Sequence, residues 1–227
     1  MTTPLVLLAG MNCTADLWAD CGFGDAAEPD LDEESIDDQV SVLLERLPGT
    51  FVLAGHSLGG IVAMTLTVRA PERVAGLCVL SANAKAPSPA QQEDWRAWIN
   101  ALDQGRTPRE LQAGILDALL SRDARLRPDT VARALAMGDD TGSARLARQL
   151  RMQSTREDVR PALRKVRVPT LVLSGMDDAI CPPAFHREIA DEVSGAELTL
   201  VPGGHLLPLE TPVEVASAID RLRRRVG

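Results

Sequence analysis

Residues 51–62 read Phe51-Val52-Leu53-Ala54-Gly55-His56-Ser57-Leu58-Gly59-Gly60-Ile61-Val62, and this stretch decides the fold. A short apolar run, a Gly-x-Ser-x-Gly string and a second apolar segment predict a strand, a tight turn and a helix. A serine on such a turn sits in a strained backbone conformation, and side chains at the flanking positions would collide, so Gly55 and Gly59 are required. The turn lifts the hydroxyl above the sheet and sets it at a helix N-terminus. The amide of Leu58 then points at the space where an oxyanion would form. The glycine pattern does not match a dinucleotide fingerprint and no P-loop lysine follows, so phosphate binding falls away.

Outward from this turn, strand and helix patterns alternate. Leu5–Ala9, Val74–Leu80, Thr170–Ser174 and Glu197–Val201 read as further strands, the first a continuous apolar run of the kind buried parallel strands show. A weak strand is expected near Gly24 to Pro29. Ile36, Val40, Leu43 and Leu44 recur at helical spacing, and a helix from Leu58 to Arg69 stops before Pro71. Thr211-Pro212 with Glu214 reads as a capping box opening the last helix. Residues 86–165 carry only amphipathic helical segments, including Trp95, Trp98, Leu111, Leu146 and Leu150. The expected fold class is therefore α/β, a mostly parallel sheet of about six strands. Residues 1–85 and 166–227 form the core, and 86–165 form an inserted helical cap. Such an insert over the carboxyl edge of a sheet covers a site.

Length and composition narrow the function. The 227 residues suit one domain, with 45% apolar and 25% charged residues, an ordinary globular balance. The net charge of −8, the absence of tyrosine and the scarcity of other aromatics argue against nucleic-acid binding. No basic region precedes the apolar residues Pro4 to Gly10, and no apolar run approaches a membrane span, so a cytoplasmic protein is expected. Cys13, Cys21, Cys78 and Cys181 form no CxxC pair and read as free thiols, with neither a zinc site nor a disulfide framework. The acidic run Asp25 to Asp38 lacks EF-hand spacing and reads as a solvated acidic face. Trp95 and Trp98 read as packing within the helical block, with a pocket wall as the other reading.

A serine hydroxyl needs a general base to act as a nucleophile, and the chain has three histidines. His56 adjoins the serine on the strand, where neighbouring side chains point to opposite faces. His186 reads as a surface or helix-start residue. His205 lies in a Gly-rich loop after the last strand, at the sheet edge that carries the elbow, and is the expected base. A carboxylate must hold its other nitrogen. Asp177 and Asp178, just past the Thr170–Ser174 strand, both qualify, and spacing alone does not decide between them. The chain order Ser, Asp, His is the one that follows a nucleophile elbow.

These stretches, together with Leu5–Met11, Val168–Gly175 and Leu209-Glu210-Thr211-Pro212, resemble the α/β-hydrolase superfamily, most nearly small bacterial esterases and lactonases of the 3-oxoadipate enol-lactonase group. The resemblance implies Ser57 as nucleophile, His205 as base and Asp178 as acid, because the family's Gly-x-x-Asp with a proline four residues on fits Asp178 and Pro182. It implies an oxyanion hole made by the backbone N–H groups of Leu58 and Met11. It also implies that the antiparallel strand pair usual at the start of this fold is missing here.

The expected activity is hydrolysis of a small or medium carboxylic ester or lactone through an acyl-enzyme, without metal or organic cofactor. The partner is a small molecule, not a nucleic acid or a membrane. The same triad serves C–C, amide and perhydrolase chemistry, and a hydrolase-shaped binding protein without catalysis is the remaining alternative.

Overall fold

The computed structural model describes residues 3–226. Its centre is a sheet of five strands, all parallel, in the order β1 (Leu5–Leu8), β2 (Phe51–His56), β3 (Val74–Leu80), β4 (Thr170–Gly175) and β5 (Glu197–Val201). Every residue of β1, β2 and β4 is buried, which is why these strands read as unbroken apolar runs rather than alternating ones. The pleat divides them between two cores. Leu5, Leu7, Val52 and Ala54 pack with Trp18 and with Val215, Ile219 and Leu222 of α11 (Pro212–Val226). Val6, Leu8, Phe51 and Leu53 pack on the other face against α1 (Ile36–Arg46), α2 (Leu58–Arg69) and α9 (Pro183–Glu192).

The sheet has five strands rather than about six. The stretch expected as a weak strand at 24–29 contributes one parallel bridge, Val6 to Ala27, closed by Leu7 N–H to Ala27 O and Ala27 N–H to Leu5 O, both 2.9 Å. Its sequence, Gly-Asp-Ala-Ala-Glu-Pro, lacks the β-branched and aromatic residues that pack on a pleat, and Pro29 offers no donor. The capping box at Thr211 is also not formed. The Thr211 hydroxyl instead donates back to Leu207 O at 3.2 Å, because a short helix, α10 (Leu207–Glu210), runs directly into α11.

Between β3 and β4 the chain is helical. α3 (Pro89–Asp103) and α4 (Pro108–Gly114) each begin with a completed capping box, at Ser88/Gln91 and Thr107/Glu110. α5 (Leu116–Leu119), α6 (Arg122–Arg125) and α8 (Arg160–Leu163) are single turns. α7 (Pro128–Ser154) bends sharply at Gly142, whose φ of 72° only glycine adopts cheaply. A small core of Trp95, Leu102, Leu111, Leu146 and Leu150 holds α3, α4 and α7 together. Among the described residues no helix is long and apolar enough to cross a membrane.

The acidic run is largely solvent-exposed, and part of it is also ion-paired. Asp30, Asp32 and Glu34 pair with Arg145, Arg148 and Arg151 of α7, so part of this run clasps the helical segment to the sheet domain.

Candidate active site

β2 ends at His56 and α2 begins at Leu58, so Ser57 forms the whole turn between them. Its φ of 52° and ψ of −115° lie outside the regions L-residues prefer. The two glycines make this turn possible. A Cβ on Gly55 would strike the Gly59 carbonyl, and one on Gly59 would strike the Leu8 and Ala9 carbonyls. The Ser57 amide donates to Leu80 O on β3 at 2.9 Å, which fixes the strained residue to the sheet.

The loops after β4 and β5 bring two further residues to the serine. His205 Nε2 lies 2.9 Å from Ser57 Oγ, and His205 Nδ1 lies 3.0 Å from both carboxylate oxygens of Asp178. Asp178 and His205 are each 3% exposed, so this chain of hydrogen bonds is largely shielded from water. Asp178 Oδ1 also accepts the amides of Ile180 and Cys181 at 2.9 and 2.8 Å. Burial pushes the Asp178 carboxyl up, but the neighbouring His205 charge, the His205 hydrogen bond and the Cys181 amide outweigh it and hold the acid below its ordinary range. Asp177 is exposed on the same loop, so of the two aspartates that spacing left open it is Asp178 that the structure brings to His205.

Met11 sits on the loop after β1 and lines the same cavity as Ser57 and His205. Leu58 is the first residue of α2, where backbone N–H groups have no partner within the helix. The Met11 loop is held from above. Asn12, with φ 57°, receives its fixing contacts from the helical segment. Its amide donates to Gln149 Oε1 on α7 at 2.9 Å, and its side-chain amide donates to Pro108 O and Gln112 Oε1 on α4.

Several residues not expected from sequence support the site. His56 Nε2 donates to the backbone carbonyl of His205 at 2.7 Å, so the histidine beside the serine anchors the loop of the other. Burial, with the neighbouring His205 charge, pushes His56 down to about 3, which keeps the ring neutral. His186 is fully buried rather than superficial. Its Nε2 accepts the Ala82 amide at 3.0 Å, and burial pushes it down to about 4. Glu210 is buried with its carboxylate on the amides of Gly204 and Ser121, tying the His205 loop to the turn before α6. The one hint in the sequence was the Leu-Glu-Thr-Pro run itself, whose role depends on a fold-back of six residues.

The cavity in front of Ser57 has a volume of about 120 Å3, small beside ordinary ligand sites. Trp95 and Trp98 both line it, and both also pack in the small helical core, so the pair fits the packing reading and the pocket-wall reading together. All four cysteines are buried and free, and burial pushes Cys13 and Cys21 up to about 12, which leaves their thiols unreactive. Among the described residues no His/Cys/Asp/Glu group could hold a metal ion.

Known proteins match this architecture. Residues 8–218 fit the model of the alpha/beta hydrolase family. The pimeloyl-[acyl-carrier protein] methyl ester esterase of Nitrosomonas europaea is 28% identical over 209 residues, covering 88% of this chain and 81% of that one. The 3-oxoadipate enol-lactonase 2 of Acinetobacter baylyi is 24% identical over 179 residues, covering 75% of this chain and 62% of that one. A thermophilic esterase from Thermogutta terrifontis superposes with a TM-score of 0.86 at 25% identity, covering 99% of this chain and 90% of that one. With a family model spanning nearly its whole length, a five-stranded parallel sheet and a serine elbow facing a buried histidine, this chain belongs to the alpha/beta hydrolase family.

Proposed function

We propose that the protein is a serine hydrolase of esterase or lactonase type that cleaves a small carboxylic ester or lactone. The observation that carries this is the unbroken hydrogen-bonded line from Asp178 through His205 to Ser57, facing a small cavity walled by apolar and polar side chains. The esterases and the lactonase among its relatives support the same class.

Asp178 accepts the Nδ1–H of His205 and so leaves Nε2 free to take the Ser57 proton. Ser57 Oγ then attacks the substrate carbonyl carbon. The tetrahedral oxyanion is held by the amides of Leu58 and Met11, whose charge stabilisation operates in a site with little water. The His205 imidazolium returns its proton to the departing alcohol oxygen as the C–O bond breaks, leaving an acyl-enzyme. Water attacks that ester, gives its proton to His205, and releases the acid while Ser57 regains its proton. The helical segment 86–165 acts as a cap that roofs the cavity and selects the acyl group.

Steady-state hydrolysis of p-nitrophenyl esters from acetate to octanoate, with wild type beside Ser57→Ala, tests the proposal. Turnover confined to short acyl chains and lost in the variant is expected. A folded wild type that hydrolyses no ester or lactone and whose Ser57 is not labelled by a fluorophosphonate would overturn it.

A further inference from the structure

Arg156 lies just past the end of α7 and is 7% exposed, yet it lines the cavity that holds Ser57 and His205. Its guanidinium lies over the Trp95 ring, 5.2 Å from the centroid. Nη1 donates to Gln153 Oε1 and Nη2 to Gln91 Oε1, both at 3.1 Å. Nε is buried with no acceptor. Among the described residues no carboxylate pairs with this cation. Several arginines within α7 differ. Arg133, Arg145, Arg148 and Arg151 each meet an aspartate or glutamate.

A guanidinium stays charged at neutral pH even when burial lowers its pKa, as it does here. Burying such a charge without a counter-charge is costly. Neutral amide oxygens satisfy two of its donors but supply no opposite charge. The end of α7 offers only the negative pole of a helix dipole, about half an elementary charge. A purely structural tie between α3 and α7 would be met by an apolar side chain or by a paired arginine. What remains is an unpaired cation in the wall of a small pocket, with an aromatic face beside it. The chain as a whole carries a net charge of −8, so an anionic substrate would be held by this local charge and not by the overall field.

We propose that the substrate ester or lactone carries a carboxylate, and that Arg156 binds this carboxylate while Ser57 attacks the ester carbonyl. This rests on the hydrolase reading above. The planar fork of the guanidinium matches a carboxylate. A cavity of about 120 Å3 walled by Trp95, Trp98 and Ile180 suits a short methylene spacer between the two ends.

The test compares kcat/KM for the monomethyl esters of succinate, glutarate and adipate with neutral methyl esters of matched length, followed by pH-stat. The best half-ester should exceed its neutral partner by about 10- to 100-fold in wild type, the range expected for a hydrogen bond to a charged group. Arg156→Met should collapse that ratio to about one or below, mainly through KM, and Arg156→Lys should retain part of it. A wild-type ratio of one or less overturns the proposal, and so does an unchanged ratio in a folded Arg156→Met. A second readout needs neither a variant nor turnover. Glutarate should protect Ser57 of the wild type from fluorophosphonate labelling at least about 10-fold better than glutaramide, and equal protection overturns the proposal. Neutral esters cleaved through Ser57 without anionic preference would leave the hydrolase reading intact and remove only this one.

Discussion

The sheet edge and the helical segment above it are built on different principles, although both face the same cavity. At the sheet edge, Ser57 and Asp178 follow the fully buried strands β2 and β4, His205 follows the partly exposed edge strand β5, and all three are placed by parallel backbone pairing. The helical segment reaches the sheet domain through buried apolar residues such as Leu119, Leu120, Ala134 and Met137 and, around the cavity and at the rim, through polar contacts. Gln149 and Gln112 grip Asn12, Glu210 grips Ser121, and the arginines of α7 meet Asp30, Asp32 and Glu34. Apolar strand packing fixes geometry to fractions of an ångström, whereas exposed ion pairs are individually weak. On the proposed mechanism the reacting groups sit on the sheet edge, and the groups that would face the rest of the substrate sit on the helical segment.

The sharpest way to break this division is to attack the sheet edge. Ser57→Ala should lower kcat for esters by at least about 10,000-fold, and Asp178→Asn by a similar order, because an amide no longer dictates which His205 nitrogen carries the proton. Asp177→Ala should change kcat less than about twofold, since that side chain is exposed. Comparable losses from the two aspartates would mean the loop, not the acid, matters.

Acidification separates the two regions next, because the buried histidines lie on the sheet side. His56 and His186 are held at about 3 and about 4, against 6.5 for an unperturbed imidazole. Below about 6.5 the unfolded chain therefore binds more protons than the folded one, and stability falls as pH drops, by about 1.4 kcal/mol per pH unit for each histidine. Asp178, also held low, adds loss in the same direction at still lower pH. Urea midpoints measured from about pH 7 to about pH 5 should fall steadily, and His186→Gln should flatten the slope. A flat midpoint would contradict the neutral buried pair.

Contacts between the regions should give smaller effects. Glu210→Ala leaves two buried amides without an acceptor and should cost about 1–3 kcal/mol in urea unfolding, with kcat reduced because the His205 loop loosens. Gln149→Ala should lower kcat more than stability, through the Asn12 loop that carries the Met11 amide. The smallest change is expected from Arg145→Ala, about 1 kcal/mol or less, because its partners are half exposed. A larger loss there would show that the helical segment is bound more firmly than its exposed pairs suggest.

Local sequence determined what local physics controls. Gly55 and Gly59 are dictated by carbonyls that a Cβ would strike, the unbroken apolar strands by burial on both faces, and the serine's place by a strand meeting a helix within a few residues. His205 was legible for the same reason, as one of three histidines and the one in a loop at the correct edge. Long-range packing decided the rest. Asp178 and Asp177 are neighbours of identical chemistry, and only the turn of the loop buries one and exposes the other. His56 and His186 looked idle because their partners, His205 O and the Ala82 amide, lie 149 and 104 residues away. The strand expected near Ala27 shrank to a single bridge, its small side chains offering little surface to pack on a pleat. Arg156 stands among helical residues whose spacing says only that they pack. Its unpaired charge in the pocket exists because α3, α7 and the Asp178 loop converge there, and no periodicity along the chain encodes that convergence.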